Sequence, residues 1–147
     1  MSPPANGVFN QAWVGVASGP LSAPVLGRVI GMLAARADCP IDRLDDALLV
    51  ADAVAAKGGG FSADGRIRAQ VVARMGSVEM QIGPLRDGGA QGLIDSAALP
   101  GVGNVLQRVT DELEPFEGDD GDEYLIIRLD FDAQRPSTTD RMESDVT

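Results

Sequence analysis

Residues 41–60, IDRLDDALLVADAVAAKGGG, set the frame for the rest of the chain. Leu44, Leu48, Ala51 and Ala55 recur at three- and four-residue steps, so they share one face of a helix. The helix opens after Cys39-Pro40. Gly58, Gly59 and Gly60 are expected to stop it, because glycine accepts the left-handed geometry of a helix end. Such a run can also serve as a hinge, but a helix stop with a linker is its commoner use. Asp52 lies at the edge of the apolar face. A carboxylate there must be solvated, paired with an arginine, or put to chemical use.

The flanking segments supply the layers this helix needs. Residues 11–17, QAWVGVA, read as a first strand, broken by Ser18-Gly19-Pro20. Ser22 is expected to cap a helix with Pro24 in its first turn. Its apolar stripe is Leu26, Val29, Ile30, Leu33 and Ala37, and it ends near residues 38–40. Two helices joined so tightly should pack side by side. Beyond a turn at 61–65, residues 66–74 alternate. Ile67, Ala69, Val71 and Ala73 face one way, and Arg66, Arg68, Gln70 and Arg74 mainly the other. Residues 78–82 alternate again after a turn, which makes a β-hairpin with one wet face. That wet face accounts for the arginines without an acidic partner.

Residues 83–100 hold glycines and prolines around a short helical stretch near 90–97, and read as a mobile segment. Val102, Val105, Leu106, Val109 and Leu113 then form a helical stripe. Residues 114–122 read as an acidic turn. The acidic run at 117–123 lacks the spacing of a calcium-binding loop and is expected to be solvated. Residues 123–131, EYLIIRLDF, give the strongest strand signal, with Leu125, Ile127, Leu129 and Phe131 on one face. Residues 1–10 read as a flexible leader, 11–131 as one domain, and 132–147 as a disordered acidic tail. The expected class is α+β: a two-layer α/β sandwich whose mixed, mostly antiparallel sheet is covered by helices on one face.

Composition narrows the functions open to such a domain. At 147 residues and 44% hydrophobic content the chain can bury one sizeable core. The formal net charge of −10 disfavours nucleic acid or an anionic membrane as partner, since phosphate binding relies on clustered Lys and Arg. With no histidine, neither a Ser-His-Asp triad nor a zinc site of the usual His/Cys kind is expected, and a lone Cys39 cannot form an intramolecular disulfide. Cys39 itself reads as structural, or simply exposed before Pro40. The polar, proline-rich start MSPPANG and the lack of a membrane-length apolar run predict a soluble, cytoplasmic protein.

Three segments together resemble the histidine-kinase-like ATPase superfamily, in its branch of anti-sigma regulatory factors, which are small serine-protein kinases. They are RLDDALLVADAVAAK at 43–57, GPLRDGG at 83–89 and LPGVGNVLQRVTDEL at 99–113. The resemblance runs from about Trp13 to Phe131 and implies the histidine-kinase-like ATPase fold. Asp52 then stands where the family places a catalytic Glu, as a carboxylate one methylene shorter. Ala56 replaces the metal-binding Asn four residues on, and Lys57 beside it offers positive charge instead. Gly83 or Pro84 stands where an Asp reads adenine, with Asp87 as a displaced substitute. Gly101, Gly103 and Asn104 match the second glycine box, where amides at a helix start cradle phosphate.

With the magnesium ligand missing, Mg-ATP binding is expected to be weakened or lost. The resemblance therefore implies a regulatory protein that binds a sigma factor or an anti-sigma antagonist protein. Its alternatives are an active ATP-dependent serine/threonine kinase with Asp52 as base, or a structural or dimerisation module that keeps only the fold. Members of that branch often form homodimers, which makes a homodimer a further expectation.

Overall fold

The computed structural model describes residues 8–99, 101 and 103–131. The expected tail at 132–147 and the first seven residues of the expected leader lie outside these. In chain order the elements are β1 (Val8–Ala17), α1 (Ser22–Arg36), α2 (Ile41–Phe61), β2 (Arg66–Arg74) and β3 (Ser77–Leu85). There follow α3 (Gly89–Ser96), β4 (Ala98–Leu99), β5 (Gly103–Asn104), α4 (Val105–Val109), β6 (Glu112–Glu117) and β7 (Glu123–Asp130). Five strands make one sheet in the order β1-β2-β3-β7-β6, and β4 pairs with β5 in a small hairpin. Every pairing is antiparallel, so the sheet is not mixed as expected.

Alternation decides which side of the sheet is covered. Ile67, Val71, Val78, Met80, Ile82, Leu125, Ile127 and Leu129 point to one face and are buried. Leu26, Ile30 and Leu33 of α1, Val50 and Val54 of α2, and Leu93 of α3 close over them. Each such side chain contributes about 1.5–3 kcal/mol on leaving water. The buried face of α2 also carries Ala47, Ala51 and Ala55, short side chains that let the helix settle close to its neighbours. The α+β class and the single helical layer are as the sequence implies. Among the described residues no helix is long and apolar enough to cross a membrane.

Several boundaries differ from expectation. β1 begins at Val8 rather than residue 11, because Val8 and Asn10 already pair with Arg74 and Ala73 across a register shift. Ser22 does not cap α1; it is buried and its hydroxyl donates to the Gly19 carbonyl at 2.8 Å. The glycine run does not stop α2, which continues through Gly58, Gly59 and Gly60 to Phe61. Gly59 serves close packing instead: a Cβ on it would lie 2.6 Å from the Ser18 Oγ.

Residues 83–85 complete β3, and the segment expected to be mobile contains α3 and β4. The helix expected to reach Leu113 ends at Val109. Thr110 turns to extended backbone while its hydroxyl donates to the Leu106 carbonyl at 2.7 Å. Residues 112–117, read as helix end and acidic turn, form β6, because their backbone groups find partners along β7. The turn proper is confined to 118–122, closed by Gly118 N–H on the Asp122 carbonyl at 2.8 Å.

Arg43 pins the layers together. Its guanidinium reaches the Asp46 carboxylate at 2.7 Å, the Asp111 carboxylate at 2.6 Å, the Val109 carbonyl at 3.1 Å and the Asp130 carbonyl at 3.2 Å. Asp111 also accepts from the Asp130 N–H at 2.8 Å. One side chain thus joins the start of α2, the end of α4 and the end of β7. Neighbouring Cys39 is half-buried against the core. Burial pushes its thiol up to about 11, with Arg43 opposing and Asp46 adding to the shift.

Candidate functional site

Asp52 and Ala56 occupy one outward face of α2, four residues apart, and Lys57 lies beside them. All three are exposed. Among the described residues no hydrogen bond or ion pair engages Asp52, so the arginine-paired alternative is not met. Ala56 presents only a methyl group and no oxygen to a cation.

The segment carrying Asp87 is tied to α2 from below. The Arg86 N–H donates to the Phe61 carbonyl at 2.8 Å, and the Arg86 guanidinium donates to the Gly60 carbonyl. Gly89 packs so tightly there that a Cβ would fall 2.8 Å from the Phe61 carbonyl oxygen. Asp87 itself is exposed in the turn. Gly88 takes a left-handed backbone, φ 77°, immediately before α3. The free amides at this helix start are occupied from within the protein. Glu123, on the first residue of β7, accepts from Gly88 N–H at 2.8 Å and from Ala90 N–H at 2.9 Å. A carboxylate at a helix N-terminus satisfies open donors and complements the helix dipole.

Gly101 and Gly103 have φ of 78° and 91°, the left-handed geometry needed to turn β4 tightly into β5. Asn104 is used twice. Its Nδ2 donates to the Ile94 carbonyl at 2.7 Å, and its Oδ1 accepts from the Gln107 N–H at 3.1 Å, capping α4. That helix is a single short turn of five residues. α3 and α4 both adjoin α2, so the elements that carry the candidate residues are neighbours. No hydrogen bond or ion pair links Asp52 or Lys57 to Asp87, Gly101, Gly103 or Asn104 among the described residues.

Surface grooves also lie elsewhere among the described residues. One of about 320 Å³ is lined by Gln91, Ile94, Gln107, Thr110, Asp111, Leu113 and Pro115. Two more, of about 390 and 220 Å³, lie on the sheet face away from the helices. The acidic turn is held by its own contacts. The Asp120 carboxylate accepts from the Asp122 N–H at 2.9 Å and from the Tyr124 hydroxyl at 3.0 Å, which holds the Asp120 carboxyl below its usual range. Burial, then the Asp120 carboxylate, raises the Tyr124 hydroxyl.

Glu123 and Arg43 were not marked by sequence reasoning. Glu123 carried a usable signal: it shares its parity with Leu125, Ile127 and Leu129, so it starts on the core side and needs partners. Arg43 showed only a common helical spacing to Asp46. A scan against protein-family models finds no match to this chain, and a search of curated proteins finds none either.

Proposed function

We propose that this chain is a regulatory protein-binding domain of the anti-sigma-factor type, built on the histidine-kinase-like ATPase fold, with nucleotide binding weakened or lost. The order of strands and helices is consistent with that fold. One observation carries the functional reading. The amides that would meet an adenine or a phosphate are already hydrogen-bonded within the protein, Gly88 and Ala90 to Glu123 and Gln107 to Asn104. A nucleotide would have to displace both, with Ala56 supplying no magnesium ligand in return. The kinase alternative needs Asp52 beside a bound γ-phosphate, and Asp52 stands alone on an outward face. What remains is a surface for a sigma factor or an antagonist protein.

The test is calorimetric titration of the full chain with ATP and ADP, with and without magnesium. No saturable heat is expected at millimolar nucleotide. Magnesium-dependent binding in the micromolar range would overturn the reading and restore the kinase alternative.

A further inference from the structure

The two edges of the five-stranded sheet differ in kind. β6 closes one side with Glu112, Glu114, Pro115 and Glu117, a proline and charges of the sort that keep other strands away. β1 closes the other with VFNQAWVGVA, which holds no charge and no proline. From Asn10 to Ala17 it pairs with β2 residue for residue. Every second residue of such a strand turns its N–H and C=O away from its neighbour. Among the described residues no strand meets that outer side.

The core is unfinished along the same edge. Ala12, Val14 and Val16 face the helices but are only half-buried, whereas their partners Val71, Ala69 and Ile67 on β2 are buried. Above them lies α1, which covers β1 and β2. Leu26, Ile30 and Leu33 of α1 point into the core. One position on from Leu26 and Ile30, Gly27 and Gly31 face α2: a Cβ on them would lie 3.8 and 3.7 Å from a Leu48 methyl. One position before the core row, Val25, Val29 and Met32 therefore turn away from α2, toward the β1 side. Val25 is 37% and Met32 52% exposed. A strand laid beside β1 would bring its own core-side chains under this apolar flank.

Charge sets this edge apart from the rest of the protein. The chain carries −10, yet its first 37 residues contain no Asp or Glu, and their only charged side chains are Arg28 and Arg36. Arg36 follows Val25, Val29 and Met32 at helical spacing. Arg66, opposite Ala17, adds a third exposed cation at the end of the edge. No ion pair engages these three arginines among the described residues. On β2, Arg68 and Arg74 offset Asp64 and Glu79.

We propose that β1 takes up a sixth strand from another protein: an extended segment, apolar at alternate positions and acidic at its ends. Its backbone completes the outward N–H and C=O groups of β1, and its apolar side chains fill the space between Val14 and Met32. Its carboxylates meet Arg36 and Arg66. A second copy of this chain fits the edge less well. Its β1 brings the same arginines and no carboxylate, and its β6 brings Pro115 into the middle of the ladder. This docking mode deepens, and rests on, the reading of the chain as a protein-binding domain.

The probe is a displayed library of random ten-residue peptides, the length of β1, selected on the full chain. The selected peptides should alternate apolar residues and carry Asp or Glu at their ends. One of them, synthesised, should slow exchange of every second amide between Asn10 and Ala17 by at least about tenfold. It should also shift the emission of Trp13, the single tryptophan, which stands on β1. Met32→Glu, at an exposed position, should weaken its binding at least about tenfold and leave the unfolding midpoint unchanged. A library that enriches nothing overturns the proposal, as do peptides of helical spacing or with basic ends. Protection away from β1, or binding indifferent to Met32→Glu, overturns it too. So does a dimer whose outer β1 amides are protected without peptide, since a second copy then holds the edge. Mg-ATP binding would sink the regulatory reading without changing any of these readouts, so the two fail separately.

Discussion

Replacing Arg43 with alanine should lower the unfolding free energy by about 2–3 kcal/mol, a fall of roughly 8–12 °C in midpoint. The reasoning rests on what the side chain leaves behind. Arg43 donates to two carboxylates and two backbone carbonyls drawn from α2, the end of α4, the residue before β6 and the end of β7. Its side chain is 24% exposed, so water recovers only part of the loss. Asp111 and Asp46 would then face each other's charge without the cation between them. Arg43→Lys keeps the charge but not the planar fork, and should cost about half as much. Urea unfolding followed by circular dichroism measures both. A loss below about 0.5 kcal/mol for Arg43→Ala would show that Arg43 decorates the junction and does not hold it.

Glu123→Ala should cost about 2 kcal/mol, because it strips the acceptors from two amides at the start of α3. Glu123→Gln retains an acceptor oxygen and should cost about 1 kcal/mol. The effect should be local as well as global. Exchange of the Gly88 and Ala90 amides should speed up by about tenfold or more in the alanine variant, while core amides of β3 and β7 change only with overall stability. Unchanged exchange at Gly88 and Ala90 would mean that Glu123 does not hold this segment closed.

The regular elements were legible because their periodicity is strong. Alternation in 66–74 and 123–131 and the three-four spacing in α1 and α2 follow from one apolar face each. Misreadings arose where long-range pairing outweighed local signals. Gly58, Gly59 and Gly60 look like a helix stop locally. At Gly59 the missing side chain is needed because Ser18 comes so close. Residues 112–117 carry a proline and several acids, which read as a turn. They form a strand because β7 offers them an edge. Pro115 and the glutamates are tolerated there because β6 is itself the outer strand of the sheet.

The candidate site was less legible for a similar reason. Asp87, Gly101, Gly103 and Asn104 have the residue types of nucleotide-binding loops. The amides of Gly88 and Ala90, next to Asp87, are committed to distant Glu123, and the Asn104 side chain is committed to the Ile94 carbonyl and the α4 cap, which a linear motif does not reveal. Trp13 shows the same limit. Its segment reads as apolar, and only the pairing with Gln70 turns the ring to the open face.

The central claim is that these loops are closed within the protein and not poised for a nucleotide. Amide chemical shifts of the full chain, followed by nuclear magnetic resonance during addition of Mg-ATP, report on those groups directly. The amides of Gly88, Ala90 and Gln107 should keep their positions at millimolar nucleotide. Saturable shifts at these three, joined by Gly101, Gly103 and Asn104, would contradict the account and show that a nucleotide displaces Glu123 and the Asn104 cap.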